Sequence, residues 1–138
     1  MKPTKTEPSI LAYFADLTHT AQGMNSKTFP LGIGCVVAYA QQEIGDFLTT
    51  ELFKLPKDLD EALSARIPDL LCLSNYSWNF RLAYKFAQLA KEKNPDLIVV
   101  MGGPNYPLDE EKRVDFLKKN HWIDFYISNE GEEGFVDL

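Results

Sequence analysis

The residues whose types suit chemistry sit in four polar segments, each following an apolar run of strand length. The first, Asp16 to Phe29, carries Thr18, His19 and Thr20. The second is Ser74-Asn75-Tyr76-Ser77, the third is Gly102-Gly103-Pro104-Asn105-Tyr106-Pro107, and the fourth runs from Ser128 through Glu130 and Glu132 to Glu133. A carboxylate and an imidazole in one loop, Asp16 and His19, suit proton transfer, yet no serine or cysteine stands beside them as an activated nucleophile. His19 is therefore a weak metal-ligand candidate by residue type alone, since a lone loop histidine is more often solvated than coordinated. The glutamates suit a metal or acid–base site, and equally the start of a helix, where the dipole favours negative charge. Gly102 and Gly103 lack a Cβ, so backbone can lie close to a neighbouring element or to a ligand. Both alternatives are open at this stage.

The elements that must position these segments alternate. Ile10 to Ala15 is a continuous apolar run and the first strand. Pro30 opens a helix over Leu31 to Ile44, and Gly45 stops it. Phe47 to Leu55 alternates in polarity and reads as an edge strand. A short helix, Asp58 to Arg66, leads to a buried strand at Leu70 to Leu73. A helix from Trp78 to Lys93 follows, with Asn75 or Ser77 as its cap. Leu97 to Met101 is the fourth strand, and Asp109 to Asn120 is a helix with acids early and lysines late, as its dipole prefers. Ile123 to Ile127 is the fifth strand. Such alternation predicts an α/β three-layer sandwich with a five-stranded parallel sheet, flavodoxin-like and Rossmann-like. In that architecture all four polar segments meet at the carboxyl edge of the sheet, where open α/β folds bind ligands. A response regulator would need an aspartate after the third strand, where this chain has Ser74 and Asn75. A flavodoxin would need a shorter phosphate loop after the first.

With 138 residues, 45% of them hydrophobic, residues 1–138 form a single domain with a core of its own. A net charge of -6 with scattered basic residues argues against a nucleic-acid surface. Cys35 and Cys72 sit in apolar surroundings and read as buried, reduced thiols. The longest apolar run, Leu31 to Ala40, falls short of the roughly 20 residues a membrane span requires. Met1 to Pro8 is polar, without a signal region, so the expected location is cytoplasmic. The chain reaches Leu138 just as a fifth helix should begin, which predicts a segment of a longer protein.

The pattern from Pro30 to Phe135 resembles the cobalamin-binding (B12-binding) domain that precedes the catalytic barrel in many radical S-adenosylmethionine (radical SAM) enzymes. The pieces that carry the likeness are Phe29-Pro30-Leu31-Gly32, Ser74 at the end of strand three, Pro95 through Met101-Gly102-Gly103-Pro104-Asn105-Tyr106-Pro107, and Asp124 through Ser128-Asn129-Glu130-Gly131 to Phe135. The resemblance implies that Ser74, Asn75, Gly102, Gly103 and Pro104, with Thr18 and Glu130, contact the cofactor, the serine and glycines taking its nucleotide tail. The family's Asp-x-His-x-x-Gly motif, whose histidine coordinates cobalt, is not matched. His19 lies three rather than two positions after Asp16, and Gly23 lies four after His19. The resemblance then implies cobalamin held without a protein ligand to the metal.

It also implies a division of labour. A radical SAM domain holds its 4Fe-4S cluster on a Cys-x-x-x-Cys-x-x-Cys motif, and Cys35 and Cys72 are too few and too far apart for that. The cluster and S-adenosylmethionine would belong to a downstream domain of a parent protein, and this chain, not catalytic by itself, would present a corrinoid to it. The alternative is a degenerate domain of the same fold, serving as a scaffold or substrate-recognition module. In that case the edge should be filled by the Asp16 to Phe29 loop or by Tyr76, Trp78 and Tyr106. A third possibility is an independent small-molecule binder.

Overall fold

The computed structural model describes residues 9–19 and 29–138. Among these residues five strands alternate with five helices: β1 (Ile10–Ala15), α1 (Leu31–Ile44), β2 (Leu48–Phe53), α2 (Pro56–Ala65), β3 (Leu70–Ser74), α3 (Phe80–Lys93), β4 (Ile98–Gly102), α4 (Glu110–Lys119), β5 (Phe125–Ile127) and α5 (Gly131–Asp137). Every neighbouring pair is parallel, and the order is β2-β1-β3-β4-β5. This is the flavodoxin-like, three-layer α/β sheet expected from the alternation.

Side chains on a strand point alternately to its two faces, and here both faces are covered. Leu11, Tyr13 and Ala15 of β1 join Leu71 and Leu73 of β3 and Val99 and Met101 of β4 in one core, closed by α2 and α3 through Leu59, Leu63, Ala83 and Ala87. Ala12, Phe14, Cys72 and Val100 face the other layer, closed by α1 and α5 through Ala40 and Phe135. Two-sided burial explains why these strands read as unbroken apolar runs. Each large side chain so buried contributes about 1.5–3 kcal/mol. β2 takes the edge, as its mixed polarity predicts.

Several boundaries differ from expectation, each for a local reason. Phe47 closes a 3₁₀ turn, Gly45–Phe47, instead of starting β2. α2 begins at Pro56 rather than Asp58, because proline presets φ for a first helical position. α3 begins at Phe80 rather than Trp78, and its cap position is Asn79, not Asn75 or Ser77. The Asn79 side-chain oxygen accepts from the Tyr76 N–H at 2.9 Å. β5 is short because the Ile123 N–H turns back to the Asn120 carbonyl at 3.0 Å. Cys35 lies exposed on α1, so the expectation of two buried thiols holds for Cys72 alone. No helix among the described residues is long and apolar enough to cross a membrane.

Candidate functional site

Register decides which residues meet at the carboxyl edge. Ser74 of β3 pairs with Gly102 of β4, and Gly102 pairs with Ile127 of β5. Ala15 pairs with Leu73, so Asp16, next along the chain, comes level with Ser74. Ser74 Oγ donates to Asp16 Oδ1 at 2.7 Å. Asn79 Nδ2 donates to the same oxygen at 3.3 Å and to the Leu17 carbonyl at 3.2 Å. Asn79 is fully buried and all of its amide is used, so the carboxylate and hydroxyl are held by a satisfied network.

Beside this network, between the sheet and the α1 and α5 layer, lies a cleft of about 260 Å³. Phe14, Cys72 and Val100 of the sheet, Ile33 and Val36 of α1, and Phe135 of α5 give it apolar walls. Asp16, Ser74, the backbone of Gly102 and Gly103, Asn129 and Glu132 give it a polar rim. An apolar concavity with a few converging polar groups is the usual form of a small-molecule site. A cavity of roughly 150 Å³ accepts one benzene ring; this cleft has room for a fused heteroaromatic ring system with its polar attachment at the rim. Burial pushes the Cys72 thiol well above its ordinary range, so it lines the cleft as a neutral, weakly nucleophilic group.

The two glycines of the β4 end serve different purposes. A Cβ on Gly103 would sit 2.5 Å from the Asn75 carbonyl oxygen, and its φ of +127° is one that L side chains rarely adopt. Packing of backbone on backbone therefore requires Gly103. A Cβ on Gly102 would meet only the Ile127 carbonyl oxygen, at an ordinary 3.5 Å. Protein packing does not require Gly102; the space it leaves open belongs to the cleft.

Of the residues expected at the site, Ser74, Gly102 and Gly103 line the cleft. Asn75 is fully buried behind it, and Pro104 is exposed outside the lining. Glu130 occupies the cap position of α5, and its neighbours Asn129, Gly131 and Glu132 line the cleft in its place. The Thr18 N–H donates to the Lys54 carbonyl at 3.0 Å, at the β2 side and away from the cleft. His19 Nε2 lies 2.7 Å from the Trp78 carbonyl oxygen. A carbonyl only accepts, so this nitrogen carries the proton and is not available to a metal. Among the described residues no three His, Cys, Asp or Glu side chains come together as a metal site. Most of the Asp16 to Phe29 loop, residues 20–28 with Thr20, lies outside the described residues.

Sequence reasoning missed the apolar walls. Their signal was there: Phe14, Cys72 and Val100 share a face by strand parity, and Ile33 and Val36 stand three apart on α1. Asn129 has no such signal. Its part in the rim rests on a left-handed backbone, φ 72°, which spacing does not reveal.

The edge is also apolar on its outside. Among the described residues the four most exposed large hydrophobic side chains are Leu108 (94%), Leu31 (68%), Phe29 (65%) and Trp78 (54%). All four follow strands or open helices on the carboxyl side of the sheet. Trp78 stacks on Tyr76, a cleft residue, with ring centroids 4.6 Å apart and planes 10° from parallel. Tyr106 turns the other way and stacks on Tyr126 at 3.6 Å.

Comparison with known proteins gives a consistent answer. The family model for the B12 binding domain matches residues 21–138. The chain is 35% identical over 121 residues to 2-(S-pantetheinyl)-carbapenam-3-carboxylate methyltransferase of Streptantibioticus cattleyicolor, covering 84% of this chain and 17% of that protein. It is 34% identical over 123 residues to the cobalamin-dependent radical SAM methyltransferase TokK of Streptomyces tokunonensis, with the same coverage of 84% and 17%. The chain thus spans about a sixth of the length of these curated relatives. A cobalamin-binding protein from Desulfitobacterium hafniense DCB-2 shares the fold, with a TM-score of 0.58 at 13% identity over 93% of this chain and 57% of that one.

Proposed function

The chain belongs to the B12-binding domain family, and on that premise we propose that it is the cobalamin-holding module of a larger enzyme, presenting a corrinoid to a radical SAM domain for methyl transfer. The observation that carries this reading is the open cleft at Gly102, with Ser74 beside it in register. Phe14, Val36 and Phe135 would hold the heteroaromatic base of the nucleotide tail, and Ser74 and the glycine backbone would meet the polar end of that tail. A corrin ring is far larger than the cleft and would have to stay outside it, where the stacked pair Tyr76 and Trp78 would be the residues to meet it. When bound, the cofactor supplies a cobalt centre for group transfer. His19 Nε2, donating to the Trp78 carbonyl, would not be the nitrogen that meets such a centre.

The exposure of Phe29, Leu31, Trp78 and Leu108, all on the carboxyl side of the sheet, supports the second half of the proposal. Apolar side chains gathered around one site mark a docking face, and the partner that fits is the catalytic domain of the same longer protein. The 4Fe-4S cluster and S-adenosylmethionine belong to that domain, since this chain has two cysteines in all. Its free thiols, Cys35 and Cys72, accord with a cytoplasmic location. The scaffold alternative calls for an edge filled by the Asp16 to Phe29 loop or by Tyr76, Trp78 and Tyr106; Tyr76 does line the cleft and residues 20–28 lie outside the described residues, while the outward turn of Tyr106 and the exposure of Trp78 favour the binding form.

The test is a titration with cobalamin followed by visible absorption, on the native chain and on Gly102→Val. The native chain should give a saturable change at one equivalent, and the variant should bind at least about tenfold more weakly, as expected when a side chain fills a ligand's place. No spectral change with the native chain would overturn the reading and leave the scaffold alternative.

A further inference from the structure

Asn75 stands next to the cleft and fully buried, yet none of its polar groups faces the cleft. Its N–H donates to the Gly102 carbonyl at 2.6 Å, and its carbonyl accepts from the Asn105 N–H at 3.2 Å. Its side-chain Nδ2 donates to the Asn105 carbonyl at 2.8 Å, and its Oδ1 accepts from Asn105 Nδ2 at 2.9 Å. The two asparagines thus clasp each other through main chain and side chain alike. The clasp joins the loop after β3 to the loop after β4, the two segments that carry Ser74 and the glycines.

The glycine segment is held from its other side as well. Tyr126 Oη donates to the Gly103 carbonyl at 2.7 Å, and the Tyr126 ring stacks on Tyr106, which also meets Phe116 edge-on and lies under the Arg113 guanidinium. Between these anchors Gly103 packs on Asn75 too closely for any Cβ. The outcome is a wall of bare backbone at Gly102 and Gly103, set at a fixed distance from α1 and α5.

We propose that Asn75, through its clasp with Asn105, is a positioning residue that sets the width of the cleft, and with it the preference for a corrinoid carrying a nucleotide tail over one without. The inference rests on the cobalamin reading above. Without the side-chain half of the clasp the β4 loop keeps its backbone bonds and its tie to Tyr126 but gains room to shift at the cleft wall, which would alter the fit of a tail inside the cleft and leave a macrocycle outside it unaffected. Asparagine suits the role because its amide both donates and accepts, so one residue closes two bonds to one partner.

The test compares affinities for cobalamin and for cobinamide, the corrinoid lacking the nucleotide tail, in the native chain, Asn75→Ala, Asn105→Ala and the double variant. The native chain should prefer cobalamin. Each single variant should lose about tenfold of that preference, the scale of one or two hydrogen bonds, with cobinamide affinity unchanged. The double variant should be no worse than the singles, because the pair acts as a unit. Asn75→Ala leaves buried groups unpaired and can unfold the chain; the partly exposed Asn105→Ala keeps the test decisive. Equal losses for both corrinoids, or unchanged preference in Asn105→Ala, would overturn the positioning role while leaving cobalamin binding intact. Failure of the native chain to bind cobalamin would overturn both readings.

Discussion

Gly102 and Gly103 are adjacent, identical and unlike in what they do. Gly103→Ala places a methyl group against the Asn75 carbonyl in a backbone region that disfavours it, so stability should fall by at least about 1–3 kcal/mol, read as a lower urea midpoint. Gly102→Ala meets only ordinary contact and should change stability by less than about 1 kcal/mol in the same measurement. The sequence showed that this pair allows close approach, yet the choice between packing and ligand depended on which atoms lie opposite. Tyr126 offers a prediction from titration. Burial pushes its hydroxyl up to about 12, with a side-chain hydrogen bond to Asn75 acting in the opposite direction. The unfolded chain, with an ordinary tyrosine near 10, then releases this proton first, so the contribution to stability is complete below about pH 10 and is lost as pH rises towards 12. Urea unfolding between pH 9 and 12 should show that decline, and Tyr126→Phe should reduce its slope. Tyr13 and Tyr84, also raised by burial, account for part of what remains.

Among the elements, α5 has the most influence on the cleft for its length. Its seven residues pack so closely that a Cβ on Gly134 would collide with Ile127 Cγ2, and one on Gly131 would sit 3.1 Å from Val36 Cγ2. Phe135 is buried against Phe14, with ring centroids 5.1 Å apart and planes at 64°. Phe135→Ala should cost about 3–5 kcal/mol in urea unfolding, and amide exchange should speed up most in α5 and the facing part of α1. A uniform loss of protection would argue that α5 is not the local closure described. The strands were legible because two-sided burial leaves unbroken apolar runs. Their register was not, because pairing Ser74 with Gly102 depends on backbone geometry over the whole sheet. The bounds of α1 were legible, but its burial was not: its apolar residues nearly encircle it, yet Ala40 alone is fully buried, since Ile33 and Val36 line a cleft and Leu31 is exposed. His19 was visible as a residue, but its bond to Trp78 joins positions far apart in the chain and no spacing reveals it.

At the scale of the whole molecule, a single parallel sheet gathers an apolar cleft, a polar rim and four exposed apolar side chains at its carboxyl edge. The opposite edge is closed by strand starts that use side-chain carboxylates, Asp69 on the Leu11 N–H at 2.8 Å and Asp124 on the Val99 N–H at 2.7 Å. The central claim is that the native fold binds cobalamin in that cleft, and binding to the folded state alone must raise stability by mass action. Thermal unfolding of the chain with and without cobalamin tests it most directly. At a hundredfold excess over Kd the account predicts stabilisation of about 2.7 kcal/mol, an upward shift of several degrees in Tm that Gly102→Val suppresses. An unchanged Tm across the whole range of cobalamin concentration would contradict it.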